Sequence, residues 1–341
     1  MDTVKEPVEV DFEVAGDVLL VTLQRPRQLN ALNTAMCRVI TAQIKNLPAG
    51  TRAIIIRGAG EKGLCGGGDI KAMRTPELGT EFLRAEYEMD LAVHTAPVPV
   101  ISFMTGITMG GGVGISGHAS VRVVDETSRI AMPETRIGIV PDVGANRILA
   151  KAPAPFGEVV AVTSCEFGAG DAIAAGFADY FVLKEKHEVL VENIIAGAEP
   201  AAAVAELATA PPAAALVEAL KPLAADIAAL DPLNAPADAL SALQRLLAAV
   251  PQAATAVARL SEVSPFAAAV AWNQVRRWQG KNPSLAEVLA DDLRVVGELV
   301  AHPNFLEGVR ARLIDKDNSP QWQPATFPEI TPADVAELVS P

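Results

Sequence analysis

The chain has 341 residues, half of them apolar, so it can bury a sizeable core and has the length for two domains. Its 28 basic and 41 acidic side chains leave a formal charge of −13, which argues against the broad basic field of a nucleic-acid or anionic-membrane surface. An anionic ligand must therefore be held by local features.

The first residues, MDTVKEPVEV, lack a basic stretch followed by an apolar one, and no apolar run approaches the ~18 to 20 residues of a membrane helix. Cys37, Cys65 and Cys165 are few and unpatterned, as expected for reduced thiols in a cytoplasm.

EVDFEV and DVLLVTLQ, separated by Ala15 and Gly16, read as a β-hairpin. ALNTAMCRVITAQIKNL has helical spacing and stops before Pro48, and AIIIRG reads as a buried strand followed by the glycine loop LCGGGD. The order then recurs. A helix over 77–95 and a strand in VPVISFM lead to a second glycine loop, MGGGVG, which opens a helix near Gly112. SVRVVD, RIAM and DYFVL are further strands, and GDAIAAGF is a helix. Strands alternating with helices predict an α/β architecture with parallel neighbours.

Beyond residue 189 alanine dominates and prolines punctuate, which reads as several helices with proline breaks rather than a disordered linker, given the many leucines and valines. SLAEVLADDLRVVGELVAH is strongly helical, and SPQWQPATFPEITP reads as an extended tail. The expected division is a core over 1–200 and a helical part over 201–341.

Several motifs fit badly. GVGISG, at 112–117, satisfies the dinucleotide fingerprint but lies deep in the chain, offset by an extra glycine pair, instead of at the first strand–helix turn. There is no phosphate-loop sequence. Ser116 is out of register for a nucleophile elbow, and His118 reads as structural. Cys65 reads as a small buried thiol. His187-Glu188 does not extend to a zinc motif, and no metal site is expected.

GLCGGGDIKAM and TMGGGVG each follow an apolar strand and lead into a helix. Such junctions present unpaired backbone N–H groups aided by the helix dipole. Two of them side by side could aim one N–H each at a single oxygen, forming an oxyanion hole. Glycine is then required because a substrate carbonyl must touch the backbone.

RPRQLNALN from Arg25, CGGGDIKAM from Cys65, GITMGGGVG from Gly106 and AMPETRIGIVPDVG from Ala131 resemble the crotonase superfamily of enoyl-CoA hydratases and isomerases. The C-terminal HPNFLEGVRARLIDKDNSPQWQP narrows the resemblance to its 3-hydroxyisobutyryl-CoA hydrolase family. The resemblance implies an α/β crotonase spiral of ββα units with an α-helical C-terminal region. It also implies coenzyme A present only as part of an acyl-CoA substrate and no separate cofactor; relatives that the chain resembles form trimers or pairs of trimers, contacts that the added C-terminal segment could block or replace.

Carried over to this chain, the resemblance assigns the oxyanion donors to the N–H groups of Gly68 and Gly111. It pairs Glu134 with Asp142, eight residues on, as the catalytic acids, and makes Glu86 a substrate contact. Glu134 would attack the thioester or activate water, with a pKa raised by burial and by its neighbours. Arg27 and Lys71 are expected at the phosphates of coenzyme A, and Gly66, Gly68, Asp69 and Ile70 along its binding loop, with the backbone of Gly66 and Ile70 at the adenine.

Hydratases of the superfamily use two glutamates, and here Gly114 stands in place of the first, so Gly114→Glu is expected to raise any hydratase activity. DVGANR, where related hydrolases read DVGGG, is expected to put bulk near the acyl pocket. The leading reading is an acyl-CoA thioester hydrolase, and the rivals are an enoyl-CoA hydratase or isomerase and a non-catalytic acyl-CoA-binding subunit.

Overall fold

The computed structural model describes residues 8–73 and 75–339. A hairpin of β1 (Val10–Ala15) and β2 (Val18–Leu23) turns on Gly16, whose φ of 64° suits glycine. Helix α1 (Thr34–Lys45), capped by the Asn33 side chain, then leads to β3 (Ala53–Gly58). Helix α2 (Pro76–His94), capped by Thr75, precedes β4 (Val100–Phe103) and β5 (Ile107–Met109). After α3 (Gly111–Gly117) come β6 (Val121–Val124) and β7 (Arg129–Ala131).

Helices α4 (Asn146–Leu149), α5 (Phe156–Thr163) and α6 (Ala169–Ala174) lead to β8 (Tyr180–Phe181), and α7 (His187–Ile195) and α8 (Pro200–Leu207) follow. The main sheet runs β1-β2-β3-β4-β6-β8, antiparallel at β1–β2 and parallel elsewhere; β5 and β7 form a second, parallel pair. This is the expected α/β spiral.

Both faces of the parallel strands are covered, so alternate residues serve different layers. Val18, Leu20, Ile55, Ile101 and Val123 pack with Leu190, Ile194 and Val204 of α7 and α8. Leu19, Val21, Ile54 and Ile56 belong to the larger cluster that includes α1, α2 and the C-terminal helices. The division drawn after residue 200 falls inside α8, whose Ala203 and Val204 close one face of the sheet.

The alanine-rich stretch forms α9 (Ala215–Leu220), α10 (Ala224–Ala228), α11 (Pro236–Ala248) and α12 (Ala254–Leu260). Helix α13 (Pro265–Trp278) packs on α5, where the Trp272 indole N–H donates to the buried Glu158 carboxylate at 3.0 Å and Arg276 pairs with it at 2.7 Å. Helix α14 (Leu285–Leu299) opens with a reciprocal Ser284–Glu287 cap.

After α15 (Pro303–Val309), the proline-rich tail is not a free extended segment. Asn304 exchanges hydrogen bonds with the Gln323 backbone at 2.8 and 2.9 Å, while Trp322, Phe327 and Ile330 are buried. The chain then forms α16 (Pro332–Val339) against α13. An apolar residue every few positions supplies the anchoring that proline content alone conceals.

Candidate active site

The two glycine loops press backbone against backbone. Isolated bridges pair Gly63 with Gly106 and Cys65 with Thr108. Gly110 has a φ of 50°, outside the comfortable range of an L side chain. A Cβ on Gly112 would lie 2.4 Å from the Cys65 carbonyl oxygen, and one on Gly111 only 2.0 Å from Glu86 Oε1. The glycine triplet is therefore dictated by a turn and by two close approaches.

The backbones of Gly68 and Gly111 lie close together. A Cβ built on Gly111 lies 3.4 Å from Gly68 N. Gly111 opens α3, whose first N–H groups have no helical partner. Neither amide donates to a protein acceptor among the described residues.

Glu86, Glu134 and Asp142 meet those two loops around one cavity of about 70 Å³, with Ile70, Phe82 and Ile139 among its apolar walls. At ~30 Å³ per water it has room for roughly two waters, or a few heavy atoms of an acyl group. Glu86 comes from α2, Glu134 from the one-turn segment Glu134–Ile137, and Asp142 from the loop before α4.

All three carboxyls are nearly inaccessible, at 3%, 5% and 5% exposure. Glu86 Oε1 and Glu134 Oε2 have no hydrogen-bond partner among the described residues. Burial, reinforced by the Asp142 charge, raises the pKa of Glu134 and of Glu86 well above the usual glutamate range. Burial also raises Asp142, to about 6, and the Tyr87 hydroxyl, which donates to Asp142 Oδ2 at 2.6 Å, opposes that rise.

Tyr87, Asp90 and Asp292 were not singled out by the sequence analysis. Tyr87 is hidden in the charged run RAEYEMD, and Asp90 lies one helical turn beyond Glu86. Asp292 leaves a clearer trace, because it falls on the apolar stripe of α14 between Val288 and Val295. An acid on a core stripe needs a partner. It has two: Asp292 accepts from the Gly144 N–H at 2.9 Å and from the Asn146 amide at 3.2 Å.

His118 keeps the structural role expected of it, at 2.8 Å from the Val143 carbonyl, and burial holds its pKa down to about 4. Val143 itself is held at a φ of 49°, immediately after Asp142.

Two expectations need correction. Ala145 and Asn146 put no bulk in the acyl cavity, because neither lines it; the Asn146 amide turns to Asp292 and to the Pro141 carbonyl. Nor is there room for Gly114→Glu. A Cβ at 114 would stand 2.7 and 2.9 Å from the Asp90 carboxylate oxygens and 2.9 Å from Val143.

A second cavity of about 500 Å³ shares Gly66, Gly68, Ile70, Pro133 and Ile137 with the first. Arg27, Asp69 and Lys71 line it, as do Arg136 and Arg312. Every residue expected to contact coenzyme A is found on this wall. Asp69 is also paired with Arg25 at 2.8 Å.

Residues 18–339 match the enoyl-CoA hydratase/isomerase family. The chain belongs to that family. It is 34% identical over 340 residues to the 3-hydroxyisobutyryl-CoA hydrolase, mitochondrial, of Bos taurus, covering 96% of this chain and 87% of that protein.

Two solved structures are similar to the chain at about the same level of identity. A carnitinyl-CoA dehydratase from Mycobacterium thermoresistibile is 35% identical at a TM-score of 0.88, over 98% of this chain and 96% of that one. An enoyl-CoA hydratase from Rhodobacter sphaeroides 2.4.1 is 34% identical at a TM-score of 0.86, over 98% of both chains. The bovine family member is named as mitochondrial, so the comparison does not support the cytoplasmic expectation. Among the described residues no helix is long and apolar enough to cross a membrane.

Proposed function

We propose that this family member is an acyl-CoA thioester hydrolase acting on 3-hydroxyisobutyryl-CoA or a similar short branched hydroxyacyl-CoA, as formed in valine breakdown. The observation that carries the reading is the meeting of two unpaired amides, those of Gly68 and Gly111, with the Glu134–Asp142 acid pair around one small cavity.

In this reading the thioester carbonyl oxygen accepts from both amides, and the acid pair acts in a form that carries negative charge. Glu134 takes a proton from water as the resulting hydroxide adds to the carbonyl carbon. When the tetrahedral intermediate collapses, the C–S bond breaks and the pair returns that proton to the departing sulfur. Products are the free acid and coenzyme A. Water is the only co-substrate, and Glu86 bounds the acyl site.

The hydratases that the chain resembles use a second acid beside the first. Position 114 supplies none, and Asp90, which fills the neighbouring space, does not line the acyl cavity. The experiment is to follow free thiol release from 3-hydroxyisobutyryl-CoA beside hydration of crotonyl-CoA. Thiol release without comparable hydration is expected; hydration without thiol release overturns the proposal.

The acid limb of the rate should follow. The active form carries the charge, so activity rises with pH through about 6, the value to which Asp142 is raised. The Tyr87 hydroxyl favours that charge by donating to it, so Tyr87→Phe should move the acid limb of kcat/KM to higher pH. A limb that stays in place would remove Asp142 from the titration.

A further inference from the structure

Asp292 is fully buried on α14 and has no cationic partner among the described residues, whereas its neighbour Asp291 pairs with Arg277 and Arg294, each at 3.0 Å. A carboxyl taken out of water without a cation depends on its hydrogen bonds. Both go to the turn that carries Asp142. Asp292 Oδ2 accepts from the Gly144 N–H at 2.9 Å and Oδ1 from the Asn146 amide at 3.2 Å. The same amide donates to the Pro141 carbonyl at 2.8 Å, which closes the turn at its other end.

The turn needs such a hold. Val143 and Gly144 both have positive φ, 49° and 73°, and a β-branched residue keeps that conformation only where its surroundings impose it. Two helices do so through the backbone. His118, at the end of α3, lies with Nε2 2.8 Å from the Val143 carbonyl oxygen, and α14 holds the Gly144 amide. On the side-chain face, the Tyr87 hydroxyl of α2 donates to Asp142 Oδ2 at 2.6 Å, and α2 packs against α14. Helix α3 begins at Gly111, so one short helix ties the acid's turn to a proposed oxyanion donor. With the Gly144 bond gone, Val143 is free to leave its conformation, and its φ turns the peptide that follows Asp142.

We propose that Asp292 is a positioning residue for the reaction, whose two hydrogen bonds fix the 141–146 turn so that the Asp142 carboxyl stays in the acyl cavity against Tyr87. The C-terminal helical region thereby takes part in catalysis. This rests on the acid-pair reading above. Asp292 lines neither the acyl cavity nor the larger one, so its effect passes through Asp142.

The test measures 3-hydroxyisobutyryl-CoA hydrolysis by the full-length wild type, Asp292→Ala and Asp292→Asn, each also in an Asp142→Asn background. Asp292→Ala should lower kcat for thiol release by about tenfold to a hundredfold, the scale of a misplacement near 1 Å, and leave KM and the affinity for free coenzyme A unchanged. Asp292→Asn keeps an oxygen for the Gly144 N–H and should recover part of the loss. In the Asp142→Asn background the alanine substitution should cost nothing further, because the group it positions is already gone. Should alanine prevent folding, the asparagine variant carries the same cycle.

The inference is overturned if Asp292→Ala keeps the wild-type kcat, if asparagine is as slow as alanine, or if the losses at 142 and 292 multiply, as they do for a residue that only supports the fold. Crystal structures separate it from the hydrolase reading. A wild type that releases no thiol rejects that reading, and the turn is then judged by the structure of Asp292→Ala. Loss of the Tyr87–Asp142 hydrogen bond there retains the inference, and an unmoved Asp142 carboxyl overturns it.

Discussion

Glu134→Gln is expected to lower kcat for thiol release by ~10²–10⁴-fold, the range associated with losing a positioned general base. Glutamine keeps the shape of the side chain and removes its ability to take a proton. The substitution should not unfold the protein. The carboxyl is 5% exposed, and its Oε2 has no hydrogen-bond partner among the described residues, so no buried ion pair is broken.

The sign of the stability effect follows from the raised pKa of Glu134. A carboxyl whose folded pKa lies above its unfolded value adds stability while protonated and loses it as pH rises through the folded value. A neutral amide escapes that loss, so the Tm of Glu134→Gln should match or exceed that of the wild type above neutral pH. Single-turnover thiol release and thermal melts check both statements. A loss of only a few fold would remove Glu134 from the chemistry, and a collapsed Tm would mean that its role is to hold the fold.

The fold was legible in the sequence wherever local pattern and tertiary role coincide. AIIIRG is short, β-branched and ended by glycine, and it is β3; the run from Ser284 shows both its cap and its apolar stripe. The glycine loops were legible because a triplet is hard to explain without a close approach, and the structure supplies the approaching atoms, the Cys65 carbonyl and Glu86 Oε1. Local pattern failed where a residue is defined by something distant in the chain. Asn146 looked like added bulk by the acyl pocket because its partner, Asp292, lies on a helix 146 residues away. Gly114 looked vacant because the carboxylate beside it belongs to Asp90 on α2. The tail looked extended because its anchors, Trp322, Phe327 and Ile330, are spaced without helical or strand period.

The other large effect expected is from Gly111→Ala, for which kcat/KM should fall by ~10²–10³-fold, the scale of a lost oxyanion donor. Gly111 does not have a positive φ, so alanine is admissible to its backbone. The difficulty is what the new methyl meets: Glu86 Oε1 at 2.0 Å, with the Gly68 amide nitrogen at 3.4 Å. The first neighbour is the end of a side chain and can rotate away. The second is backbone, and the methyl then stands beside the amide at which the carbonyl oxygen is proposed to accept.

Gly112→Ala offers the contrast. Its methyl would meet the Cys65 carbonyl at 2.4 Å, backbone against backbone, so the variant should lose Tm as well as activity. In Gly111→Ala the Tm should change much less, and affinity for free coenzyme A should persist, because Gly111 does not line the larger cavity. Adding Glu86→Ala to Gly111→Ala isolates the cause. The double variant removes the clash and leaves the methyl over the amides, so it should remain as slow as Gly111→Ala. Recovery of wild-type kcat/KM in the double variant would show that displacement of Glu86 accounts for the defect and that the paired amides do not carry the reaction.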